Sequence, residues 1–371
     1  MFKYDVLIEE NDICNYEEEI RKLTGCVENG DKVVLYAPRR FGKTSILINV
    51  LGKRFSKSNK NALFCYINLQ EVKDLHSISV RFSRAVEEIV KLAFPAKALV
   101  SKAVELFKSL RPKIEIDPQT GSPSITFALA TDKNQGLDDI FQAIKAISEK
   151  HPLLLVMDEF QDVAFIDEAE ALIRGFVQTM NKSSIVISGS KQHILKDIFL
   201  DERRPFYNWG KSIELKPIPF EKWKPYLLKR FVNKKIRIGD AEIRYILESM
   251  YYIPNYVCKL CSDIDSAYSN VVVAVADIKD AIHHTYLNSQ SRYAEKISFL
   301  TNKQIKLLTV IAGKGRVKEI TAQQIVAESG ISTRGISTIC TMLMDKGYLE
   351  RDKEGIRVAD PFFAYYLLRE F

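Results

Sequence analysis

The stretch Val33-Val34-Leu35-Tyr36-Ala37-Pro38-Arg39-Arg40-Phe41-Gly42-Lys43-Thr44-Ser45 decides how the chain is read. A hydrophobic run rich in β-branched and aromatic residues stops at Ala-Pro. A tight basic loop follows, and Gly-Lys-Thr opens a helix expected over 45–51. Strand, loop and helix start, in that order, form the context in which such a motif binds phosphate. A polyphosphate is wrapped by unpaired backbone N–H groups at a helix N-terminus, where the helix dipole also favours anions. Ala37, Pro38, Arg39, Arg40, Phe41, Gly42, Lys43, Thr44 and Ser45 would form that loop. Gly42 permits close backbone approach, Lys43 can reach the β- and γ-phosphates, and the Thr44 hydroxyl can ligate Mg²⁺. Ala37 stands where the motif has its first Gly; that position needs a tight turn more than open space.

A second stretch supports the first: Leu153-Leu154-Leu155-Val156-Met157-Asp158-Glu159-Phe160-Gln161. Continuous apolar residues suggest a strand buried on both faces of a parallel sheet. Two carboxylates follow at its C-terminal end, where open α/β sheets bind ligands. Burying adjacent acids is costly unless a cation or solvent meets them, so a metal–nucleotide site accounts for them. Asp158 would hold Mg²⁺ and Glu159 would polarise the attacking water. Ser184-Ile185-Val186-Ile187-Ser188-Gly189-Ser190 repeats the theme, and Ser188 or Ser190 could sense the γ-phosphate.

The 371 residues exceed one average domain, so two or three units are expected. Hydrophobic content of 46% supports well-filled cores. No apolar run approaches the ~18 residues of a membrane span, and the N-terminus has no signal pattern. The six cysteines are scattered, without the density of a disulfide scaffold. Cys258 and Cys261 form a C-x-x-C without the second pair that zinc needs, so two thiols on one helix face is the better reading. A reducing cytoplasm is the expected setting. A net charge of +7 permits nucleic-acid contact without requiring it.

In chain order, an amphipathic helix is expected over 16–27, closed by the turn Asn29-Gly30. A buried strand at 62–69 and helices at 77–93 and 95–110 follow. Period-2 alternation at 113–116 and 124–129, around turn chemistry at 117–122, predicts a hairpin. A short strand is expected at 212–215. From 220 to 300 the pattern is helical, with segments at 221–233, 240–250, 256–267 and 271–288. Helices at 303–312, 321–329 and 332–346, then a hairpin over 348–359, make the winged-helix pattern. Thr333, Arg334, Ser337, Thr338 and Thr341 would face outward on the third helix, with Arg351, Lys353 and Arg357 on the wing. That helix is poor in cations, and phosphate neutralisation needs several in register. Duplex DNA and a protein partner therefore both stand as its targets.

Taken together these residues resemble the archaeal-type ATPase family, P-loop NTPases close to the STAND and AAA+ origin-recognition ATPases. The loop at 37–45 is similar to the family's Gly-Pro-Arg-Arg-x-Gly-Lys-Thr-Ser. Asp158-Glu159-Phe160-Gln161 is similar to its Walker B signature, and Asp360-Pro361-Phe362-Phe363 to its closing motif. The resemblance implies an α/β fold: a P-loop NTPase parallel sheet with a helical lid and a C-terminal winged-helix domain. It implies an ATPase core over 1–218, a lid over 219–298 and the winged helix over 299–371. ATP with Mg²⁺ would be the ligands, with Ser188 and Ser190 in the sensor-1 role. Tyr207-Asn208-Trp209-Gly210-Lys211 stands where relatives often place Gly-Arg; Arg203 and Arg204 lie close by. The lid segment Tyr252-Ile253-Pro254-Asn255-Tyr256 lacks the family's glycines, and no sensor-2 arginine is evident. The expected functions are an ATP-hydrolysing switch, slow without a partner; a DNA-bound regulator or initiator; or a nucleotide-dependent scaffold and homo-oligomer that hydrolyses little.

Overall fold

The computed structural model describes residues 2–58, 61–93, 112–116, 123–127, 133–352 and 354–371. The helix expected over 95–110 lies outside them. The chain forms two compact units, Val6–Pro217 and Met1–Asp5 with Ile218–Phe371.

The first unit is built on a parallel sheet of β1 (Lys32–Tyr36), β2 (Leu63–Asn68), β5 (Leu153–Asp158), β6 (Ser184–Gly189) and β7 (Lys211–Glu214). Their order is β2-β5-β6-β1-β7, all pairs parallel. Every residue of β5 and β6 is buried, as expected of strands covered on both faces. The register sets Asn68 beside Asp158 and Leu35 beside Ser188, so β1, β2, β5 and β6 end together. Between them, β3 (Pro112–Ile116) and β4 (Pro123–Phe127) form the antiparallel hairpin the alternation predicts.

Parallel neighbours need crossover connections. Helix Leu75–Ala93 and three helices that the sequence reading does not place, Lys133–Lys150, Ala169–Thr179 and Gln192–Leu200, supply them. Phe82, Phe141 and Phe176 pack between these helices, with Phe141 and Phe176 stacked at 4.2 Å. A second aromatic group joins Phe160 to Phe206 at 5.1 Å, with Phe199 and Trp209 beyond. After β1 the chain is helical from Lys43 to Ser58, with Ile46–Gly52 wound as a π-helix. Gly52 lies against β2: a Cβ there would sit 2.6 Å from the Phe64 ring.

The second unit is helical over Phe220–Phe231, Asp240–Ser249, Pro254–Ala267, Val275–Leu287 and Gln290–Ser298. Cys258 and Cys261 are buried on the third of these. Helices Asn302–Lys314, Gln323–Ser329 and Thr333–Asp345 follow, then β8 (Leu349–Asp352) and β9 (Gly355–Val358). Gly330 (φ 64°) ends the second helix of this trio, and the Ser332 hydroxyl accepts from Gly335 N–H to start the third. Val317 exchanges both backbone hydrogen bonds with Ile356, adding a third edge to the wing. The Asp-Pro-Phe-Phe segment opens a last helix, Pro361–Glu370, whose N-cap is Asp360. The Asp360 carboxylate accepts from the N–H groups of Phe362 and Phe363, which are both buried.

Candidate functional site

The site lies where β1, β5 and β6 reach their C-terminal ends. Ala37 is buried, and its φ is not positive, so the glycine that the motif has there is not needed for backbone freedom. Arg40 (φ 67°) and Gly42 (φ 82°) make the sharp part of the loop. No atom comes within 4 Å of where a Gly42 Cβ would be. Gly42 therefore serves the backbone conformation and keeps this side of the loop open. Phe41 is buried and anchors the loop; Arg39 and Arg40 are exposed, and Pro38 is half-buried. The Ser45 hydroxyl accepts from Ile8 N–H.

Lys43 is only 5% exposed, and its ammonium meets both carboxylates, Asp158 Oδ1 at 2.6 Å and Glu159 Oε1 at 2.5 Å. The Thr44 hydroxyl donates to Asp158 Oδ2 at 3.1 Å. Ser188 donates to Asp158 Oδ1 at 2.6 Å and Tyr66, from β2, to Asp158 Oδ2 at 2.9 Å. Burial alone would raise the Asp158 carboxyl, but Lys43, Ser188 and Tyr66 outweigh it and hold it below the usual carboxylate range. Burial and the charge of Asp158 would raise Glu159, but Lys43, with Ser190, holds it low. Tyr66 is pushed far up, first by burial and then by the charge of Asp158, so it stays a donor.

Glu159 sits at φ 55°, a left-handed conformation uncommon for Glu. Glu159 Oε2 accepts from Ser190 Oγ at 2.7 Å and from Gln161 Nε2 at 2.8 Å. Arg39 Nε reaches Ser190 Oγ at 3.4 Å, which sets one of the two loop arginines beside the end of β6. Lys43, Thr44, Asp158, Glu159, Ser188 and Ser190 thus come together as the sequence suggests. Tyr66 and Gln161 join them without having been singled out as site residues. Gln161 stood within a quoted motif; for Tyr66 the signal was a polar ring near the end of a buried strand.

The winged-helix residues form no comparable cluster. Thr333, Arg334, Ser337, Thr338 and Thr341 are exposed on helix Thr333–Asp345. The hydroxyls of Ser337, Thr338 and Thr341 donate to backbone carbonyls one turn back, leaving only their oxygens outward. Arg351 is exposed, and Lys353 lies outside the described residues. Arg357 corrects the expectation of a surface cation on the wing: it is 6% exposed. Its guanidinium pairs with Glu350 and lies 4.6 Å from the Tyr251 ring centroid. Arg203 pairs with Asp201 and Arg204 with Glu170.

Residues 13–222 match the family described as "ATPase domain predominantly from Archaea". The chain belongs to that ATPase family. Residues 291–369 match "Probable winged helix domain". No curated protein matches the chain. Among solved structures, a Walker-type ATPase of Pyrococcus abyssi is similar at TM-score 0.63 and 17% identity, over 97% of each chain. The Aeropyrum pernix ORC2 protein, in ADPNP-ADP complexes, is similar at TM-score 0.54 and 14% identity, over 100% of this chain and 97% of that one. The ORC1 protein of the same organism, in complex with DNA, is similar at TM-score 0.54 and 12% identity, over 96% and 92%. At such identities the likeness is one of fold. Family membership carries nucleotide binding with it. No helix among the described residues is long and apolar enough to cross a membrane.

Proposed function

We propose that the chain is a cytoplasmic ATP-hydrolysing switch whose nucleotide state controls the C-terminal winged-helix module. In this reading residues 1–218 are the ATPase core, 219–298 a helical lid and 299–371 the effector domain. One observation carries it: the convergence of Lys43, Thr44, Asp158, Glu159, Ser188 and Ser190 in one hydrogen-bonded cluster at the C-terminal ends of three parallel strands.

The phosphates of ATP would lie along the loop 37–44, held by its backbone N–H groups and by Lys43. To reach them Lys43 must leave Asp158 and Glu159. Asp158, 1% exposed, would then be a buried anion without its cation. The donor set fits a divalent ion at that moment, with Asp158 and the Thr44 hydroxyl as the residues that would hold Mg²⁺. When bound, Mg²⁺ neutralises phosphate charge. Departure of Lys43 also frees Glu159 Oε1 to accept a hydrogen bond from the attacking water, while Oε2 stays on Ser190 and Gln161. Ser190 would register the outcome at the end of β6, with Ser188 beside it on Asp158. Arg203 and Arg204 are engaged with Asp201 and Glu170, which favours slow turnover by the isolated chain.

Steady-state ATP hydrolysis by the wild type, Lys43→Ala and Glu159→Gln tests the assignment. Both variants should fall about 10²-fold or more; equal rates in all three would remove the assigned roles. A nucleotide-dependent change in sizing would instead point to a scaffold and homo-oligomer.

A second reading, duplex DNA as the target of the winged helix, draws support from the fold shared with an ORC1 protein solved on DNA. Arg334 is the exposed cation of helix Thr333–Asp345 and Arg351 that of the described wing residues, so these two elements would contact few phosphates. Truncating both should lower the salt slope of binding by about two charges. Binding that is absent at low salt would leave a protein partner as the target.

A further inference from the structure

Gln161 is 1% exposed, and both ends of its carboxamide are used. Its Nε2 donates to Glu159 Oε2 at 2.8 Å and lies 3.3 Å from Asp162 Oδ1, while its Oε1 accepts from Ser190 N–H at 3.2 Å. The end of β6 is shaped around it. A Cβ on Gly189 would fall 2.2 Å from Gln161 Oε1, so the close approach exists because residue 189 has no side chain. On the other side, Phe160 is fully buried against Phe206. The left-handed turn at Glu159 and the 3-10 run Phe160–Phe165 bring Gln161 back to the carboxylate two residues before it.

We infer that Gln161 is a positioning residue: it clamps Glu159 Oε2 and ties that carboxylate to the end of β6. The inference rests on the ATPase reading for its consequence and on the hydrogen bonds for its geometry. A carboxylate has two oxygens, and here their partners differ. Oε1 faces the Lys43 ammonium, whereas Oε2 is held by two neutral donors, Ser190 and Gln161. Transfer of Lys43 to phosphate releases only Oε1, so the oxygen offered to water is selected by the clamp on the other. The amide also has a donor end and an acceptor end, and the site uses both. Glu at 161 would bring a third carboxylate up to Glu159 and Asp162. Met would keep the volume and lose the hydrogen bonds at both ends of the amide. Because the same side chain holds Ser190 N–H, a shift at the end of β6 reaches Glu159 directly.

The experiment uses the full chain and Gln161→Met. Hydrolysis should drop about 10²-fold in kcat, with KM and the affinity for a non-hydrolysable ATP analogue within about threefold of wild type. Gln161→Met/Glu159→Gln should be no slower than Glu159→Gln alone, since Gln161 acts through that carboxylate. Retained kcat in Gln161→Met, or losses that multiply in the double variant, would overturn the inference. A second measurement is independent of turnover. In nucleotide-free protein, the urea midpoint shift of the double variant should differ from the sum of the single shifts by roughly 0.3 M. Additive shifts overturn the clamp whether or not the chain hydrolyses ATP. Wild-type turnover no faster than Lys43→Ala would refute the ATPase reading, and the midpoint cycle then decides the clamp alone.

Discussion

Replacing Lys43 with Met, in the absence of nucleotide, isolates the charge pair at the centre of the site. Asp158 is 1% exposed and faces the Lys43 ammonium at 2.6 Å. Removing one partner of a buried ion pair costs roughly 3–5 kcal/mol, because the other charge stays buried. Here the hydroxyls of Ser188, Tyr66 and Thr44 and the N–H of Glu159 remain on the carboxylate. They place the expected loss at the lower end of that range, about 3 kcal/mol. With a urea m-value of about 3 kcal/mol/M, the midpoint should fall by roughly 1 M. Trp209, in the same unit as the site, offers a fluorescence probe. The double variant Lys43→Met/Asp158→Asn removes the stranded charge and should recover more than half of the loss. A Lys43→Met midpoint within about 0.2 M of wild type, or a double variant no better than the single one, would refute the reasoning. The same variants test the metal argument: Lys43→Met should gain more stability from added Mg²⁺ than wild type, since its carboxylate lacks a cation.

Three further outcomes are expected. Asp158 and Glu159 titrate below their usual values of 3.8 and 4.5 in the folded chain, since Lys43 outweighs the burial that would raise them. The unfolded chain therefore takes up protons first, and the stability these groups contribute is present above about pH 4.5 and lost as the pH falls through their folded values. Urea midpoints measured from pH 7 to 3 should fall more steeply for wild type than for Asp158→Asn/Glu159→Gln, and parallel curves would contradict this. In the wing, Arg357→Met strands the half-buried Glu350 carboxylate and should cost about 2 kcal/mol, relieved by adding Glu350→Gln; thermal unfolding of the four proteins reads the cycle. Gly355 adopts φ 141°, and a Cβ there would lie 2.6 Å from Val317 O. Gly355→Ala should break the Val317–Ile356 pairing and lower Tm, with protection of those two amides against hydrogen exchange as the direct check.

The site's parts were legible in the sequence because each is a local signal. An apolar strand, a tight loop and Gly-Lys-Thr need no knowledge of the rest of the chain, and neither does a five-residue apolar run that ends in two acids. Asp360-Pro361 was legible as a motif, and its cause is local too: an N-cap carboxylate followed by a proline at the first helical turn. The crossover helices Lys133–Lys150, Ala169–Thr179 and Gln192–Leu200 were not read. Their apolar residues do recur at helical spacing, as at Leu137, Ile140, Phe141, Ile144 and Ile147, but what demands them is the parallel pairing of strands far apart in sequence.

The sequence by itself determined that strand, loop and acidic strand end exist, that a winged helix follows them, and which side chains are the site's candidates. Only the tertiary structure decided the order β2-β5-β6-β1-β7, which brings Tyr66 onto Asp158 and Ser190 onto both Glu159 and Gln161. It also decided the fate of Arg357. In Gly-Ile-Arg-Val, alternation turns Ile356 and Val358 inward and the arginine out, yet all three are buried. The outward face of β9 is covered in turn, since Arg357 packs over Tyr251, about 100 residues earlier in the chain. A period-2 pattern shows which residues share a face. What covers each face depends on segments that the pattern does not contain.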